Sequence, residues 1–181
     1  MRIIAAIFIA LCSLRSSAQI YISKACEITF FSATPMEDIE ASNKASVPIL
    51  NTVTNEIAVK VPITSFNFRN SLMQDHFNEN YMESDKYPFA IFKGKINEKI
   101  DYTKKLCYPV TVTGNMNMHG VEKCIVLPGT VTPEDGKVLI AATFKILLSD
   151  YNIKIPSLLT KNIAEEVEVK LNSSLEPFVK N

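Results

Sequence analysis

The stretch YPVTVTGNMNMHGVEKCIVL, residues 108–127, decides the fold. Tyr108, Val110, Val112, Gly114, Met116 and Met118 fall on one face of an extended chain, and Pro109, Thr111, Thr113, Asn115 and Asn117 on the other, because successive side chains of a strand point to opposite sides. One dry face and one wet face mark an antiparallel sheet that covers a core on one side only. His119-Gly120 then supplies a tight turn, a short polar residue and a glycine meeting its backbone demands. The stretch therefore predicts a β-hairpin.

The same rhythm runs outward in both directions. Ile57, Val59 and Val61 alternate with Glu56, Ala58 and Lys60, and Val167, Val169 and Leu171 with Glu166, Glu168, Lys170 and Asn172. Between 138 and 148 both faces are largely apolar, with Val138, Ile140, Ala142, Phe144, Ile146 and Leu148 as the stricter row. Tyr87-Pro88 suits the start of a further strand from Phe89 to about Ile96, where a missing N–H is tolerated. Turn signals stand at Thr34-Pro35, Pro62, Gly120, Pro133-Glu134-Asp135-Gly136 and Ile155-Pro156. Only residues 70–82 break the strand pattern: Leu72, Met73, His76, Phe77, Asn80 and Tyr81 share one face of a helix about three turns long. Many evenly spaced strands and one short helix predict an all-β fold, an eight-stranded antiparallel barrel whose closure removes exposed edges.

The N-terminus reads as a secretory signal peptide over residues 1–18. A short positive start, an apolar run from Ile3 to Leu11, and small residues at Ser16-Ser17-Ala18 place the cut after Ala18, with Gln19 opening a single barrel domain that runs to residue 181. Cys12 follows Leu11, where lipoprotein processing needs a small residue. No apolar run is long enough for a transmembrane anchor. The expected location is periplasmic or secreted. Charges balance at 19 basic against 19 acidic residues, and no basic run occurs, which disfavours nucleic acid.

Cys26, Cys107 and Cys124 are an odd set, so at most one disulfide can form. Cys107 and Cys124 are not equidistant from the predicted turn, and all three are read as buried free thiols packed as small hydrophobes. There is no CxxC pattern, and the two histidines are far apart without nearby ligands, so no metal or cofactor is expected. Asp75-His76 invites a general-base reading. Neighbouring helical residues point about 100° apart, however, and neither a GxSxG elbow nor a Cys-His pattern supplies a nucleophile. His76 is read as hydrogen-bonded in the barrel wall or in contact with a ligand, and His119 as turn chemistry. The acidic run at Glu37-Asp38-Ile39-Glu40 is read as solvated, while Glu165 shares the inward parity of Val167. No catalytic residue is assigned.

The order SLMQDHFNENYMESDKYPFAIF, then YPVTVTGNMNMHGVEKCIVL, then AATFKILLSDYNIKI, then an alternating last strand, resembles the YceI-like family of bacterial secreted proteins from about Ile20 to Pro177. Asp75-His76 upstream of Tyr87-Pro88 and Phe92, with the hairpin at His119-Gly120-Val121, carries most of the likeness. The resemblance implies a lipocalin-like eight-stranded barrel that holds a long isoprenoid in an elongated apolar cavity, without catalysis. Gln74 stands where family members often have a basic residue, and Asn117 where they often have threonine, so head-group contacts differ.

Phe30, Phe66, Phe68, Leu72, Met73, His76, Phe77, Tyr81, Phe92, Val110, Val112, Met116 and Phe144 are the candidate ligand-binding residues. The expected partner is an isoprenoid or quinone-like lipid, with homodimer formation left open. Residue parity alone does not separate a lined cavity from a filled core. A solid, non-catalytic structural or stress-related barrel acting through its surface is the alternative. An outer-membrane barrel would need the faces bearing Glu166, Glu168 and Lys170 to line a lumen, and no aromatic girdle accompanies them.

Overall fold

The computed structural model describes residues 20–32, 38–154 and 165–179. The signal-peptide reading, Thr34-Pro35, Glu37 and Ile155-Pro156 lie outside the described residues. Ten strands form one antiparallel sheet: β1 (Ile20–Ser32), β2 (Ile39–Asn43), β3 (Val47–Asn51), β4 (Glu56–Pro62), β5 (Phe66–Phe68), β6 (Phe89–Ile96), β7 (Tyr108–Met118), β8 (Val121–Glu134), β9 (Lys137–Leu147) and β10 (Glu166–Pro177). A short helix, α1 (Ser71–His76), lies between β5 and β6. β10 pairs with β1 and closes the barrel.

Ten strands occupy eight positions, because two of them are interrupted. Along β1, Ile22 faces Ile49 of β3 and Ile28 faces Asn43 of β2, the same register on both sides of the break. β2 and β3 are thus one strand interrupted at residues 44–46. Asn43 makes the interruption: wholly buried, it accepts the Ala45 N–H and the Ser46 hydroxyl, each at 2.9 Å, and donates through Nδ2 to the Pro62 carbonyl at 2.7 Å. A buried asparagine whose groups are bonded can hold such a break without an unpaired polar atom. Its partner Pro62 ends β4, and a 3₁₀ turn at Ile63–Ser65 leads into β5, which pairs with β2. The expected eight-stranded barrel is present, with β2 and β5 as the extra pieces beside α1.

The hairpin read from residues 108–127 forms as expected. Asn117 faces Glu122 and Met118 faces Val121 around His119 and Gly120, both at positive φ (52° and 75°). Val110, Met116 and Met118 are buried, and Pro109, Thr113, Asn115 and Asn117 are exposed. Asn115 faces Cys124, so Cys107 and Cys124 do not meet across the ladder. Only Cys26 is buried, where burial pushes its thiol pKa up; Cys107 and Cys124 are free and exposed, which corrects the expectation of three buried thiols. Cys124 has the outward parity of its strand, and Cys107 precedes the first ladder residue.

β6 and β7 touch at a glycine pair. Gly94 faces Gly114, and a Cβ on Gly114 would lie 2.4 Å from both the Gly94 Cα and the Lys93 carbonyl oxygen. Backbone occupies the space any side chain would need, so these strands approach this closely only because both residues are glycine.

β8 and β9 pair only from Gly129–Ala142 to Glu134–Lys137. Beyond Gly129, residues 121–128 pair with β7 alone, and Pro128, at the point of parting, has no N–H to offer a second neighbour. Past the parting, Lys123 pairs with Asp150 at 2.5 Å, on the 3₁₀ turn Leu148–Tyr151 that comes after β9.

Candidate functional site

The barrel encloses two adjoining chambers. The larger, about 280 Å³, sits at the end bearing α1 and β5 and is lined, among others, by Ile28, Phe30, Ile63, Phe66, Met116, Met118, Phe144, Ile146 and Val169. The smaller, about 100 Å³, lies deeper, between Ile57, Val59, Phe92, Ile96, Val110, Val112, Leu127, Val131, Ile140 and Leu171. Inward parity on eight strands is what brings these apolar side chains together.

α1 starts where the Asn70 side chain accepts the Leu72 N–H at 2.9 Å, a capping arrangement that replaces one of the helix's missing acceptors. The helix does not continue to residue 82 as one α-helix. At Phe77–Tyr81 it widens into a π turn, closed by the Met82 N–H donating to the Phe77 carbonyl at 2.9 Å, five residues back. The wider turn rotates the residues after Phe77 relative to α1, and this overturns part of the predicted face. Met73, His76, Phe77 and Tyr81 line the large chamber, joined by Met82. Leu72 is 58% exposed and lines neither chamber, and Asn80 is exposed as well.

Four aromatic rings converge at this end. Phe30 stacks on Phe77 at 5.5 Å between centroids, and Phe66 and Phe68 meet Phe77 at 5.6 and 5.0 Å. Such tilted and stacked pairs contribute about 1 kcal/mol each beyond their buried area. Phe77 thus packs the helical segment onto the barrel through apolar contacts, and the Phe68 N–H donates to Gln74 Oε1 at 3.3 Å beside them.

Polar groups on the chambers are few. Ser32, His76 and Tyr81 are those of the large one and Thr130 that of the small one, and no Lys, Arg, Asp or Glu is among the described lining residues. His76 is exposed yet lines the chamber, which places it at the rim, and it makes no side-chain hydrogen bond to another described residue. The hydrogen-bonded wall position is thus not the one it takes. Burial raises the Tyr81 hydroxyl above the ordinary tyrosine pKa, so it stays a neutral donor. No three His, Cys, Asp or Glu side chains among the described residues gather as a metal site.

The candidate residues divide between the chambers. Phe30, Phe66, Phe68, Met73, His76, Phe77 and Tyr81 belong to the large one, Phe92, Val110 and Val112 to the small one, and Met116 and Phe144 to both. Leu72 belongs to neither. Sequence reasoning passed over Ile28, Met118, Ile146 and Val169, whose alternation was visible but whose height along the barrel was not. It also missed Ile63 and Ile153, which sit outside the strands and line the chamber from turns.

His119 does more than turn the hairpin. Its side chain is 9% exposed; Nδ1 donates to the Tyr151 carbonyl at 3.0 Å, Nε2 lies 2.9 Å from the Glu83 carboxylate, and the Tyr87 ring packs edge-on at 4.7 Å. Two segments more than thirty residues away in sequence, around Glu83–Tyr87 and at Tyr151, are fastened at one imidazole, which no local spacing could reveal. Glu165, expected inward, is exposed, and its carbonyl accepts the Leu148 N–H at 2.9 Å.

A closed barrel around an apolar, two-chambered interior defines a lipocalin-like class of binding fold. Residues 23–175 match the model of the YceI-like domain, and the chain belongs to that family. No curated protein matches it by sequence. Among solved structures it is similar to a polyisoprenoid binding domain from Saccharophagus degradans implicated in plant cell wall breakdown, with a TM-score of 0.76 and 15% identity over 90% of this chain and 100% of that one. It is also similar to Burkholderia cenocepacia BcnA (TM-score 0.69, 16% identity, 82% and 95% covered) and to the Campylobacter jejuni YCEI protein (0.59, 22%, 75% and 81%). At these identities the likeness establishes the fold.

Proposed function

We propose that this protein is a secreted or periplasmic carrier that holds one long apolar lipid, isoprenoid or quinone-like, inside the barrel, and that it performs no catalysis. The observation that carries this reading is the chamber of about 280 Å³, adjoining a second and walled almost wholly by apolar side chains. A solid barrel would have no such space. Each CH₂ moved from water into it contributes about 0.8 kcal/mol before ordering costs, so a dozen such groups suffice for firm retention. An ionised head group would be buried without a partner on the described walls, which is costly. The favoured head is therefore uncharged, met by Ser32, Tyr81 and, at the rim, His76. Membership in the YceI-like family and likeness to a polyisoprenoid binding domain support the same cargo. The leader pattern at residues 1–18 supports export.

Native mass spectrometry of the exported protein, followed by organic extraction, tests the reading. A bound mass of a few hundred daltons that extraction removes and identifies as a prenyl or quinone lipid is the expected result, and the same spectrum reports whether two copies associate. A protein that arrives empty and takes up no added isoprenoid would sink the proposal.

A further inference from the structure

Ile28, Met116, Phe144 and Val169 line both chambers, so they form the neck between them. Val169 stands beside Phe144 across the β9–β10 ladder, and Ile28 lies one strand further on β1, opposite Leu171. Met116 comes from β7, two strand positions from β9 on the other side. The four differ in stiffness. Ile28 and Val169 are β-branched and hold one χ1 well, whereas Met116 is unbranched with three rotatable bonds and a polarizable sulfur. The two sides of the neck also differ in lining: Phe30, Phe66, Phe68 and Phe77 give the outer one several aromatic rings, while the inner one has Phe92 among mostly aliphatic side chains such as Val59, Val110 and Ile140.

We propose that this neck is a length stop for the bound lipid, with Met116 and Phe144 as its movable parts. The inference rests on the carrier reading and adds to it the residues that select chain length. A chain that fits the outer chamber binds without rearrangement. A longer one reaches the inner chamber only by displacing Met116 and Phe144 from their packed positions, and the cost of that displacement cancels what the extra length gains.

The test uses the full chain, stripped of co-purified lipid, with geraniol, farnesol, geranylgeraniol and longer polyprenols compared in pairwise competition by native mass spectrometry. For the wild type, affinity climbs roughly tenfold or more per added isoprene unit, then flattens at the length that fills the outer chamber. Met116→Ala and Phe144→Leu each move the flattening to a longer alcohol. Adding Ala142→Phe, which fills only the inner chamber, returns it to the wild-type length. Flattening at one common length in the wild type and in either folded neck variant overturns the length stop while leaving the carrier reading intact. If neither neck variant folds, Ala142→Phe alone decides: a selective loss of affinity for the longest alcohols would show that they already occupy the inner chamber and overturns the length stop, and unchanged affinity supports it. A wild type that binds none of the alcohols overturns both.

Discussion

The two ends of the barrel are built from the same strands and packed in different ways. At the end away from α1, Leu50 and Leu175 are fully buried and Ile96, Val131 and Val138 are 2% exposed. A polar latch covers them: the Tyr102 hydroxyl donates to Asn55 Oδ1 at 2.9 Å, Asn55 Nδ2 donates to the Glu98 carbonyl at 3.1 Å, and the Glu98 carboxylate accepts both the N–H and the hydroxyl of Thr111 at 2.8 Å. Those last bonds hold Glu98 below the usual carboxylate pKa range. At the α1 end, Phe30, Phe68, Phe77, Tyr81, Ile146 and Val169 are only partly buried, around the larger chamber. Close packing and satisfied polar groups concentrate stability at one end. The other end is thereby free to give up packing density for an open chamber.

Truncation on either side should expose the difference most strongly. Leu175→Ala removes a side chain with no exposed surface, and a loss of about 3–5 kcal/mol is expected. Phe77→Ala removes a larger side chain from the hollow end, yet it should cost less than Leu175→Ala because its ring is already partly open. It should instead weaken lipid retention by tenfold or more, since it unfastens the helical segment. Denaturant melts of the two variants decide the matter. A cost for Phe77→Ala equal to that of Leu175→Ala, with retention unchanged, would mean that the ends do not divide their roles.

Next in size is the pinch at Gly94 and Gly114. Gly114→Ala drives a methyl into the Gly94 Cα and the Lys93 carbonyl, and backbone cannot swing aside as a flexible side chain can. About 1–3 kcal/mol should be lost. Gly136→Ala is the control for glycine itself. Its φ is positive, at 72°, but its Cβ would meet nothing within 4 Å, so it isolates the strain of conformation from the clash.

Tyr102→Phe tests the latch, and its effect should be smaller at neutral pH. Removing the hydroxyl leaves Asn55 Oδ1 without its donor, for about 1 kcal/mol. The pH dependence is more telling. Burial pushes Tyr102 up to about 12 from the ordinary tyrosine value of 10.0, so the unfolded chain ionises first. Its contribution is complete below about pH 10 and is lost as pH rises from there to about 12. Alkaline unfolding of the wild type should therefore show a component in that window that Tyr102→Phe lacks.

The range of the forces involved decides which features were legible in the sequence. Alternation is local, so the hairpin at residues 108–127, the strand Phe89–Ile96 and the inward rows of β4, β9 and β10 could be read directly. The break at Asn43 could not, because the local bonds to Ala45 and Ser46 hold it only together with a contact to Pro62 on a neighbouring strand. Parity likewise reports which face a residue takes but not its height in the barrel. Val110 and Phe30 share inward parity, although they line different chambers. His119, Ile63 and Ile153 depend on contacts between distant segments or on turns, where period-two reasoning has no purchase.

Leu72 gives the smallest expected effect and the cleanest check on this difference between local and non-local signals. Helical periodicity puts it on the same face as Met73, His76 and Phe77, and hydrophobicity alone would assign it to the chamber. The π turn at Phe77–Tyr81 changes the constraint: the segment is fastened by Phe77 and by Tyr81 and Met82 beyond it, and the first turn is set by the Asn70 cap. With those points fixed, Leu72 projects into water with more than half its surface exposed. Leu72→Ser should then shift stability by no more than about 0.5 kcal/mol and leave lipid retention unchanged. Met73→Ser, one position on but against the chamber, should weaken retention. If the two substitutions weaken it equally, the helical face is the uniform one that the sequence pattern describes, and the π turn does not set which residues meet the lipid.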